Sequence, residues 1–319
     1  MDRLELVLRN VEEIVTLEEL KALLEVKRRP RAYVGYEPSG KIHMGHMLTA
    51  NKLLDLQQAG FDVVVLLADL HAYLNEKGSM KEVMEIAEYN KECFIALGLD
   101  PSRTEFVYGS DYQLEPDYVI KILKMARSTT LTRAKRSMDE VSRSAENPRV
   151  SQMIYPLMQS VDIAVLEIDL AVGGIDQRKI HMLAREELPK QGLPAPICLH
   201  TPIISGLDGG KMSSSKGNYI SVDDDADALQ RKINEAYCPA RDMENNPIIA
   251  LFRYHIFPRF DEVTVSRPEK FGGDVTYRDP GALERDFVDG AMHPLDLKKS
   301  AFVYLEEILA PVRAKIGTR

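Results

Sequence analysis

Two histidines three residues apart are the first residues in this chain whose types and spacing could do chemistry. The stretch 38–46 reads PSGKIHMGH, with His43 and His46 on either side of Gly45. The pattern around them is that of a strand, a turn and the start of a helix, which would put both imidazoles on one helix face. They could be metal ligands, structural histidines or hydrogen-bond donors to a phosphate at a helix N-terminus. A metal site needs at least a third ligand, and no Cys or acidic residue lies at a suitable helical spacing beside them.

A second segment, 209–217, reads GGKMSSSKG. Glycines at both ends and small polar residues between them indicate a mobile loop. Its Lys211 could reach a polyphosphate and act as a point charge on developing negative charge. The alternative for this segment alone is a flexible linker between domains.

A polar stripe is formed by Tyr155, Gln159 and Asp162, which follow one another at i, i+4 and i+7. On a helix these three side chains share one face. The residues between them are mostly apolar, and a polar stripe in such surroundings is unusual for a buried helix. Taken alone, the stripe would be an exposed polar face.

The elements that must hold these residues alternate between strand and helix. Strands are predicted at 31–36, 62–68, 105–108, 163–168 and 196–201, and helices over most of the first 30 residues and at 43–59, 80–97, 116–127, 130–144, 150–160 and 176–187. This alternation predicts an α/β fold with a doubly wound parallel sheet, whose ligands bind beyond the carboxyl ends of the strands. After about residue 220 the alternation ends, so we expect two domains, 1–220 and a mostly helical 221–319.

The composition of the 319 residues excludes several classes of protein. The chain is 45% hydrophobic and 28% charged, which is typical of a folded domain with a real core. It has no apolar run of membrane length and no apolar signal-peptide core at its N-terminus, so a soluble cytoplasmic protein is expected. Three scattered cysteines argue against a disulfide framework.

The net charge of −8 argues against general coating of nucleic acid but leaves room for a local basic face. One basic run exists at 121–138, with six Lys and Arg residues and no acidic one. Such a run is either a solvated helix face or a surface for RNA.

Taken together, His-x-Gly-His after the first predicted strand of the sheet and Lys-Met-Ser-x-Ser after its last resemble the signature pair of class I aminoacyl-tRNA synthetases. The surrounding segment YVGYEPSGKIHMGH (33–46) is similar to the tyrosyl branch in its archaeal and eukaryotic form. The similarity continues through VVVLLADLHAYLN (63–75), VGGIDQRKIHMLARE (172–186), GKMSSSKGN (210–218) and RPEKFGGD (267–274). Two positions depart from the family pattern: Met44 replaces Ile or Leu, and Ser214 replaces a second lysine.

This resemblance implies a ligase that activates L-tyrosine with ATP and transfers it from tyrosyl-adenylate to the 3′ end of tRNA(Tyr). Asp162 would accept the proton of the substrate phenol, and Tyr33 would donate to the same oxygen. The family pattern implies eight tyrosine-binding residues: Tyr33, Ala68, His71, Gln113, Tyr155, Gln159, Asp162 and Gln177. No inserted editing domain is visible, which fits a site that rejects phenylalanine by leaving buried polar groups unpaired, a behaviour for which tyrosyl enzymes are themselves the known example.

The resemblance also implies an ATP site. The residues expected to act in catalysis are His43, His46, Lys211 and Ser214. Those expected to bind ATP are Gly35, Glu37, His43, Gly45, His46, Lys211, Met212, Ser213, Ser214 and Ser215. Mg²⁺ should accompany ATP as part of the substrate, without a tightly bound metal held by the protein. The tyrosine carboxylate is already ionised at neutral pH, so catalysis is expected to be positioning and charge stabilisation.

Contacts with tRNA(Tyr) follow from the same resemblance. The acceptor stem would meet Arg136, Arg178 and Lys179, and the anticodon would meet Phe271, His293 and Asp296. Family members also imply a homodimer, and no membrane association is expected.

Three alternatives share part of this pattern. A tryptophanyl-tRNA synthetase has the same fold, but Tyr33 and Asp162 suit a phenol better than an indole. A small-molecule nucleotidyltransferase also uses His-x-Gly-His but does not explain the Lys211 loop and the helical domain. A noncatalytic RNA-binding relative is disfavoured because His43, His46, Lys211 and Asp162 are all present.

Overall fold

The protein is described by a computed structural model that covers residues 2–139, 149–212 and 216–317. The chain divides into two compact units. Unit 1 holds the residues up to Gly40 together with Lys52–Ile203, and unit 2 holds Lys41–Asn51 together with the residues from Ile204 onward. The functional division at residue 220 stays a prediction.

Unit 1 is built on a six-stranded sheet. Its strands are β1 (Glu13–Val15), β2 (Arg31–Tyr36), β3 (Asp62–Leu67), β4 (Thr104–Tyr108), β5 (Leu170–Gly174) and β6 (Ile197–Thr201). They lie in the order β1-β6-β5-β2-β3-β4. All neighbours are parallel except β1, which runs antiparallel to β6. The predicted doubly wound α/β fold is confirmed.

Helices connect these strands. They are α1 (Arg3–Leu8), α2 (Leu17–Val26), α3 (Met44–Gln58), α4 (Asp69–Leu74), α5 (Met80–Ala96), α6 (Pro116–Ser128), α7 (Leu131–Met138), α8 (Val150–Val165) and α9 (Arg178–Glu187). The first turns of α3 belong to unit 2. Part of the helix predicted at 130–144 lies outside the described residues.

The strand order creates a switch point between β2 and β5. From β2 the chain moves outward through β3 and β4, then returns to the other side of β2 to form β5. Tyr33 of β2 is in register with Val64 on one side and Ala171 on the other. Strand β3 is buried along Val63–Leu67, as its continuous apolar run predicts. Ligands of such sheets bind at the carboxyl ends beside the switch point.

The strand predicted at 163–168 is wrong. Helix α8 continues through Val165 and ends in a turn in which Ile168 N–H donates to the Ile163 carbonyl, with Glu167 at a φ of 55°. The next strand, β5, begins only at Leu170. A short apolar run has no periodicity that separates a buried helix from a buried strand, which explains the error.

The helices predicted over most of the first 30 residues are present as α1 and α2, but the prediction missed a strand between them. Helices α1 and α2 are separated by β1, whose residues Glu13–Val15 pair with Cys198, Leu199 and His200 of β6. A three-residue strand is too short to show a period of two, so only its pairing with β6 defines it.

Unit 2 is mostly helical. Its helices are α10 (Ala226–Glu235), α11 (Pro247–Leu251), α12 (Pro280–Asp289) and α13 (Pro294–Ile316), and a π-helical turn (Phe252–Ile256) follows α11. A small antiparallel hairpin of β7 (Val263–Val265) and β8 (Val275–Tyr277) was not predicted. Helix α13 packs against α10, α11 and β7.

Lys41–Asn51 is held within unit 2 by backbone pairing with the segment after the 209–217 loop. Met44 N–H donates to the Ile220 carbonyl over 2.9 Å, and Val222 N–H donates to the Ile42 carbonyl over 3.0 Å. Met44 is 1% exposed, which agrees with a packing role at this position. Within the described parts of both units, no helix is long and apolar enough to cross a membrane.

Candidate functional site

The polar stripe of α8 faces the interior of unit 1 and is centred on Asp162. This carboxylate is fully buried, and its Oδ1 accepts three hydrogen bonds, from Tyr112 Oη at 2.7 Å, Tyr118 Oη at 2.7 Å and Gln113 Nε2 at 2.8 Å. Its Oδ2 is buried and has no hydrogen-bond partner among the described residues. His71 Nε2 lies 3.6 Å from this Oδ2, beyond hydrogen-bond length.

Tyr33 provides another polar group of this pocket. Its side chain is 1% exposed. A Cβ on Gly35 would come within 2.7 Å of the Tyr33 hydroxyl, so glycine at this position gives the phenol ring its room. The pocket thus combines the Tyr33 hydroxyl with three buried atoms that have no hydrogen-bond partner in the described chain: Asp162 Oδ2, His71 Nε2 and Gln113 Oε1.

The pocket wall is completed by aromatic and amide side chains. The rings of Tyr155 and His71 meet edge to face with centroids 4.6 Å apart. Gln159 Nε2 donates to Gln177 Oε1 over 3.3 Å. Ala68 follows β3 and is 5% exposed. All eight residues predicted for tyrosine binding lie in unit 1. Contacts join Gln113, His71 and Tyr155 around Asp162, and Gln159 is hydrogen-bonded to Gln177.

Burial sets the electrostatics of the pocket. It raises the pKa of Asp162, while His71 and the donors Gln113, Tyr118 and Tyr112 oppose that rise. It also raises the pKa of Tyr33 well above the ordinary tyrosine value, and the nearby Asp162 charge adds to the rise. Tyr33 is therefore a fixed hydroxyl donor at neutral pH.

The sequence did not single out Tyr112 and Tyr118, although both bind Asp162 directly. Tyr118 Oη also lies 3.1 Å from the Met158 carbonyl oxygen, and the rings of Tyr112 and Tyr118 pack edge to face at 5.4 Å. A buried tyrosine looks like an ordinary core residue in a sequence. Only the position of Tyr112 beside Gln113 could have drawn attention to it.

Glu37, predicted to lie near ATP, has contacts within unit 1. Its carboxylate accepts from Asn75 Nδ2 at 2.9 Å and lies 3.3 Å from Lys77 Nζ. These contacts fix the turn after β2. The nucleotide-binding roles of Glu37 and Gly35 stay predictions.

The histidine pair lies in unit 2, at the start of α3. The rings of His43 and His46 are 4.0 Å apart, and the His43 ring lies 4.8 Å from that of Tyr219. Gly45 N–H donates to His43 Nδ1 over 3.2 Å, and His43 N–H donates to His46 Nδ1 over 3.3 Å. Because each Nδ1 accepts a hydrogen bond, the proton of each neutral ring is on Nε2.

Burial keeps both rings neutral. It lowers the pKa of His43 to about 4 and that of His46 to about 3, with the neighbouring His43 adding to the second shift. At neutral pH the pair therefore presents two Nε2–H donors and no fixed positive charge. Such donors can bind an anion without bringing a permanent counter-charge into the site.

Gly45 allows the two motifs to approach each other within unit 2. A Cβ there would lie 3.1 Å from His43 Cε1 and 3.4 Å from Met212 Sδ. The base of the loop is fixed by Asp208 Oδ1, which accepts from Asn218 Nδ2 at 2.7 Å and from Gly210 N–H at 3.0 Å. Lys211 is exposed. Ser213, Ser214 and Ser215 lie outside the described residues.

The residues predicted for the acceptor stem lie on two adjoining helices. Arg136 is in the last turn of α7, and Arg178 and Lys179 open α9. Ser137 Oγ donates to the Lys179 carbonyl over 3.4 Å, which joins the two helices at this point. Arg136 and Lys179 therefore lie next to the junction of the two helices.

The residues predicted for the anticodon line one cleft of about 700 Å³ in unit 2. Phe271 is 61% exposed at its edge, and Lys270 Nζ lies 4.8 Å from the Phe271 ring centroid. His293 caps α13, its Nδ1 accepting from Leu295 N–H at 3.2 Å. Asp296, in the first turn of α13, is 8% exposed. An exposed ring beside cations and a carboxylate suits an unpaired base.

No group of three or more His, Cys, Asp or Glu within 2–139, 149–212 and 216–317 is placed to hold a metal ion. In that part of the chain, His43 and His46 therefore belong to no such group. Their Nε2–H groups can instead donate hydrogen bonds to an anion.

Comparison with known proteins identifies the protein family of this chain. Residues 25–310 match the family model described as tRNA synthetases class I (W and Y). The chain belongs to this family of class I aminoacyl-tRNA synthetases, which use ATP as a substrate.

The relatives identify the branch. A tyrosine–tRNA ligase of Methanococcoides burtonii is 64% identical over 314 residues, covering 98% of this chain and 99% of the relative. The crystal structure of tyrosyl-tRNA synthetase complexed with L-tyrosine from Archaeoglobus fulgidus is 63% identical, with a TM-score of 0.97 and 99% of each chain covered. A tryptophanyl-tRNA synthetase of Aeropyrum pernix K1, 24% identical with a TM-score of 0.77 over 94% of this chain and 81% of the other, shares the fold. The predicted resemblance to archaeal tyrosyl enzymes is confirmed.

Proposed function

We propose that the protein activates L-tyrosine with ATP, forming tyrosyl-adenylate and diphosphate, and transfers the tyrosyl group to the 3′ end of tRNA(Tyr). The observation that carries the choice of amino acid is the pocket of unit 1, where the buried Asp162 Oδ2 has no hydrogen-bond partner within the described chain and the Tyr33 side chain is 1% exposed. Asp162 Oδ2 can accept the phenol proton, and the Tyr33 hydroxyl can donate to the phenol oxygen. A phenol is both donor and acceptor, so it satisfies the two groups together.

Other amino acids leave at least one of these groups unpaired. Phenylalanine offers neither a donor nor an acceptor, and the buried carboxylate oxygen would gain no partner from it. The indole of tryptophan has one N–H donor and no acceptor, so it could serve Asp162 but not Tyr33. Discrimination by a missing hydroxyl is large in sites of this kind.

The activation step needs little proton chemistry. The tyrosine carboxylate attacks the α-phosphate of ATP, the new carboxyl–phosphate bond forms and diphosphate leaves with the bond electrons. We assign His43 and His46 as Nε2–H donors to the phosphates and Lys211 as the charge that stabilises diphosphate. Mg²⁺ enters with ATP as part of the substrate. Ser214 and its neighbours Ser213 and Ser215 complete the proposed loop, with Met212 beside Gly45.

The transfer step requires the tRNA at two surfaces. We assign Arg136, Arg178 and Lys179 to the acceptor stem, where phosphate contacts supply affinity and base contacts supply identity. The cleft lined by Phe271, His293 and Asp296 is assigned to an anticodon base that stacks on the exposed phenyl ring. The functional division into 1–220 and 221–319 rests on these assignments.

We also propose a cytoplasmic homodimer. An apolar patch on and beside α6 supports self-association: Val119 is 39% exposed, Ile120 47% and Leu123 59%, and Leu114 and Leu131 on either side of the helix are 70% and 77% exposed. Contiguous exposed apolar side chains on a folded domain indicate a protein contact. Sedimentation of the wild type and of Leu123→Glu tests this proposal, and a monomeric wild type would reject it.

The experiment that tests the function is amino-acid-dependent exchange of labelled diphosphate into ATP. We expect exchange with tyrosine and only background exchange with tryptophan or phenylalanine. Exchange that does not depend on tyrosine would reject the proposal. Charging of tRNA(Tyr) with labelled tyrosine then tests the second step separately.

A further inference from the structure

A chain of polar contacts in unit 1 runs from two buried histidines through Glu13 at the sheet edge to Arg178, and its histidines and Glu13 have no role in the chemistry described above. Glu13 of β1 lies directly opposite His200 of β6 in the strand register. Its Oε2 is 2.9 Å from His200 Nδ1, and His200 Nε2 is 3.0 Å from Nδ1 of His181 on α9. The two imidazoles are fully buried and stacked, with centroids 5.1 Å apart.

The proton positions along this chain can be deduced. Burial lowers the pKa of His181 to about 3 and also lowers the pKa of His200, so both rings are neutral at neutral pH. Each neutral ring carries one proton. If His200 carried it on Nε2, its bare Nδ1 lone pair would face the Glu13 carboxylate.

The other arrangement satisfies every contact. His200 Nδ1–H donates to Glu13, His181 Nδ1–H donates to His200 Nε2, and only His181 Nε2 is left as a bare acceptor. His181 Nε2 is indeed a buried atom without a hydrogen-bond partner in the part of the chain that the structure describes. The chain therefore has one direction, and its last acceptor is Glu13.

Glu13 in turn holds Arg178 by one nitrogen. Arg178 Nε donates to both carboxylate oxygens, at 2.9 Å and 2.7 Å. No acceptor for its Nη1 or Nη2 exists among the described residues, and 45% of its side chain is exposed. When a guanidinium is hydrogen-bonded through Nε, its Nη1 and Nη2 groups can still form a planar pair of donors. Such a pair can bind a phosphate or the edge of a base.

We propose that Glu13, oriented by the His181–His200 pair, is a positioning residue that holds the Arg178 fork ready for the tRNA acceptor stem. This inference rests on the acceptor-stem role proposed for Arg178. It assigns to β1, the antiparallel edge strand, a contribution to tRNA binding that is separate from tyrosine activation.

Steady-state aminoacylation with Glu13→Gln tests the inference. The substitution keeps the side-chain shape but weakens the grip on Arg178, so the KM for tRNA should rise about fivefold to twentyfold. Tyrosine-dependent diphosphate exchange should keep its KM values and rate. The matched control is Glu19→Gln: Glu19 accepts from Arg185 Nη2 of the same helix α9 at 3.0 Å but has no contact with Arg178 in the described chain. It should change the KM for tRNA by less than about twofold.

A double-mutant cycle separates positioning from an independent effect. If Glu13 acts through Arg178, then Glu13→Gln combined with Arg178→Ala should be no worse than Arg178→Ala alone. Additive effects, or a Glu13→Gln variant that behaves like Glu19→Gln, would overturn the inference. An unchanged KM for tRNA in Arg178→Ala would reject the acceptor-stem role and this inference with it, while leaving tyrosine activation intact.

A second measurement needs no variant. Nitrogen-15 spectra of the histidine rings in the intact protein at neutral pH should show His181 and His200 both protonated on Nδ1. A proton on Nε2 of His200 would break the chain at Glu13 and contradict the inference.

Discussion

The Asp162 pocket of unit 1 and the histidine pair of unit 2 differ in how their polar groups are held in place. In the pocket, Asp162 is fully buried and already accepts three hydrogen bonds, so its position is fixed before a ligand arrives. In unit 2, His43 and His46 are only half-buried and Lys211 is exposed on a glycine-flanked loop. We propose that the fixed groups of unit 1 recognise a neutral phenol, and that the donors and loop of unit 2 stabilise the charge that develops during phosphoryl transfer.

This difference separates the groups proposed to select the amino acid from those proposed to accelerate the reaction. Under the proposed function, fixed buried groups would penalise the binding of a substrate that lacks a hydroxyl. Neutral imidazole donors and the exposed Lys211 are proposed to act on the transition state. The substitutions below should therefore separate into changes of selectivity and changes of rate.

The largest effect is expected from the loop. Lys211→Ala removes a charge that interacts with the departing diphosphate, so adenylate formation should slow by about 10²–10³-fold. Tyrosine binding should change little, because all the pocket residues lie in unit 1. Rapid-quench kinetics and calorimetric titration with tyrosine measure the two separately. Lys190→Ala, which removes an exposed lysine paired with Glu187, is the control. Equal losses in rate and tyrosine affinity would remove Lys211 from its assigned role.

The next effect concerns selectivity. Asp162→Asn keeps the shape of the side chain but replaces one carboxylate oxygen by an amide. The preference for tyrosine over phenylalanine should fall by about 10–100-fold, because a charge-assisted hydrogen bond to the phenol is lost. The ratio of kcat/KM values for the two amino acids in diphosphate exchange reports it. A preserved preference would mean that the phenol does not contact this carboxylate.

The two regions also differ in their response to acid. His43 has a folded pKa of about 4 and an unfolded value near 6.5, so between these pH values only the unfolded chain binds the proton. Lowering the pH from 6.5 to 5 should therefore cost about 1–2 kcal/mol of unfolding free energy through this residue alone. His43→Gln should show a shallower fall of Tm over the same range in calorimetry. His255→Gln, which removes a buried histidine with pKa lowered to about 3, is the comparison for a group outside the proposed site. An unchanged pH profile in His43→Gln would show that its ring is not held neutral.

The smallest effect is expected in the support of the pocket. Tyr118→Phe deletes the hydroxyl that donates to Asp162 and is 3.1 Å from the Met158 carbonyl. It should lower the unfolding free energy by about 1–2 kcal/mol and weaken tyrosine binding only modestly. Denaturant unfolding measures the first quantity. Tyr73→Phe, which alters an exposed tyrosine, is the control. A larger loss of selectivity than in Asp162→Asn would make Tyr118 a direct contact of the substrate.

The residues with strong local signals were predicted well. The i, i+4, i+7 spacing of Tyr155, Gln159 and Asp162 predicts a helix, and the structure has α8 over Val150–Val165. The alternation of strands and helices predicts the doubly wound sheet. In both cases the signal is a local pattern of residue types along the chain.

What the sequence missed depends on contacts far apart in the chain. Strand β1 exists because Glu13 pairs with His200, 187 residues away along the chain. Tyr112 and Tyr118 are site residues only because α8 brings Asp162 beside them. The tautomers of His43 and His46 follow from backbone N–H groups whose positions no residue type reveals. Pairing partners of this kind are set by tertiary structure and leave no local pattern.

The central claim is that the phenol of tyrosine is bound by Asp162 Oδ2 and the Tyr33 hydroxyl. A crystal structure of this protein with L-tyrosine measures it directly. Because Asp162 Oδ2 is buried without a hydrogen-bond partner in the described chain, the account predicts a phenol oxygen within about 2.5–3.0 Å of both atoms. A bound tyrosine whose phenol oxygen contacts neither atom would contradict it.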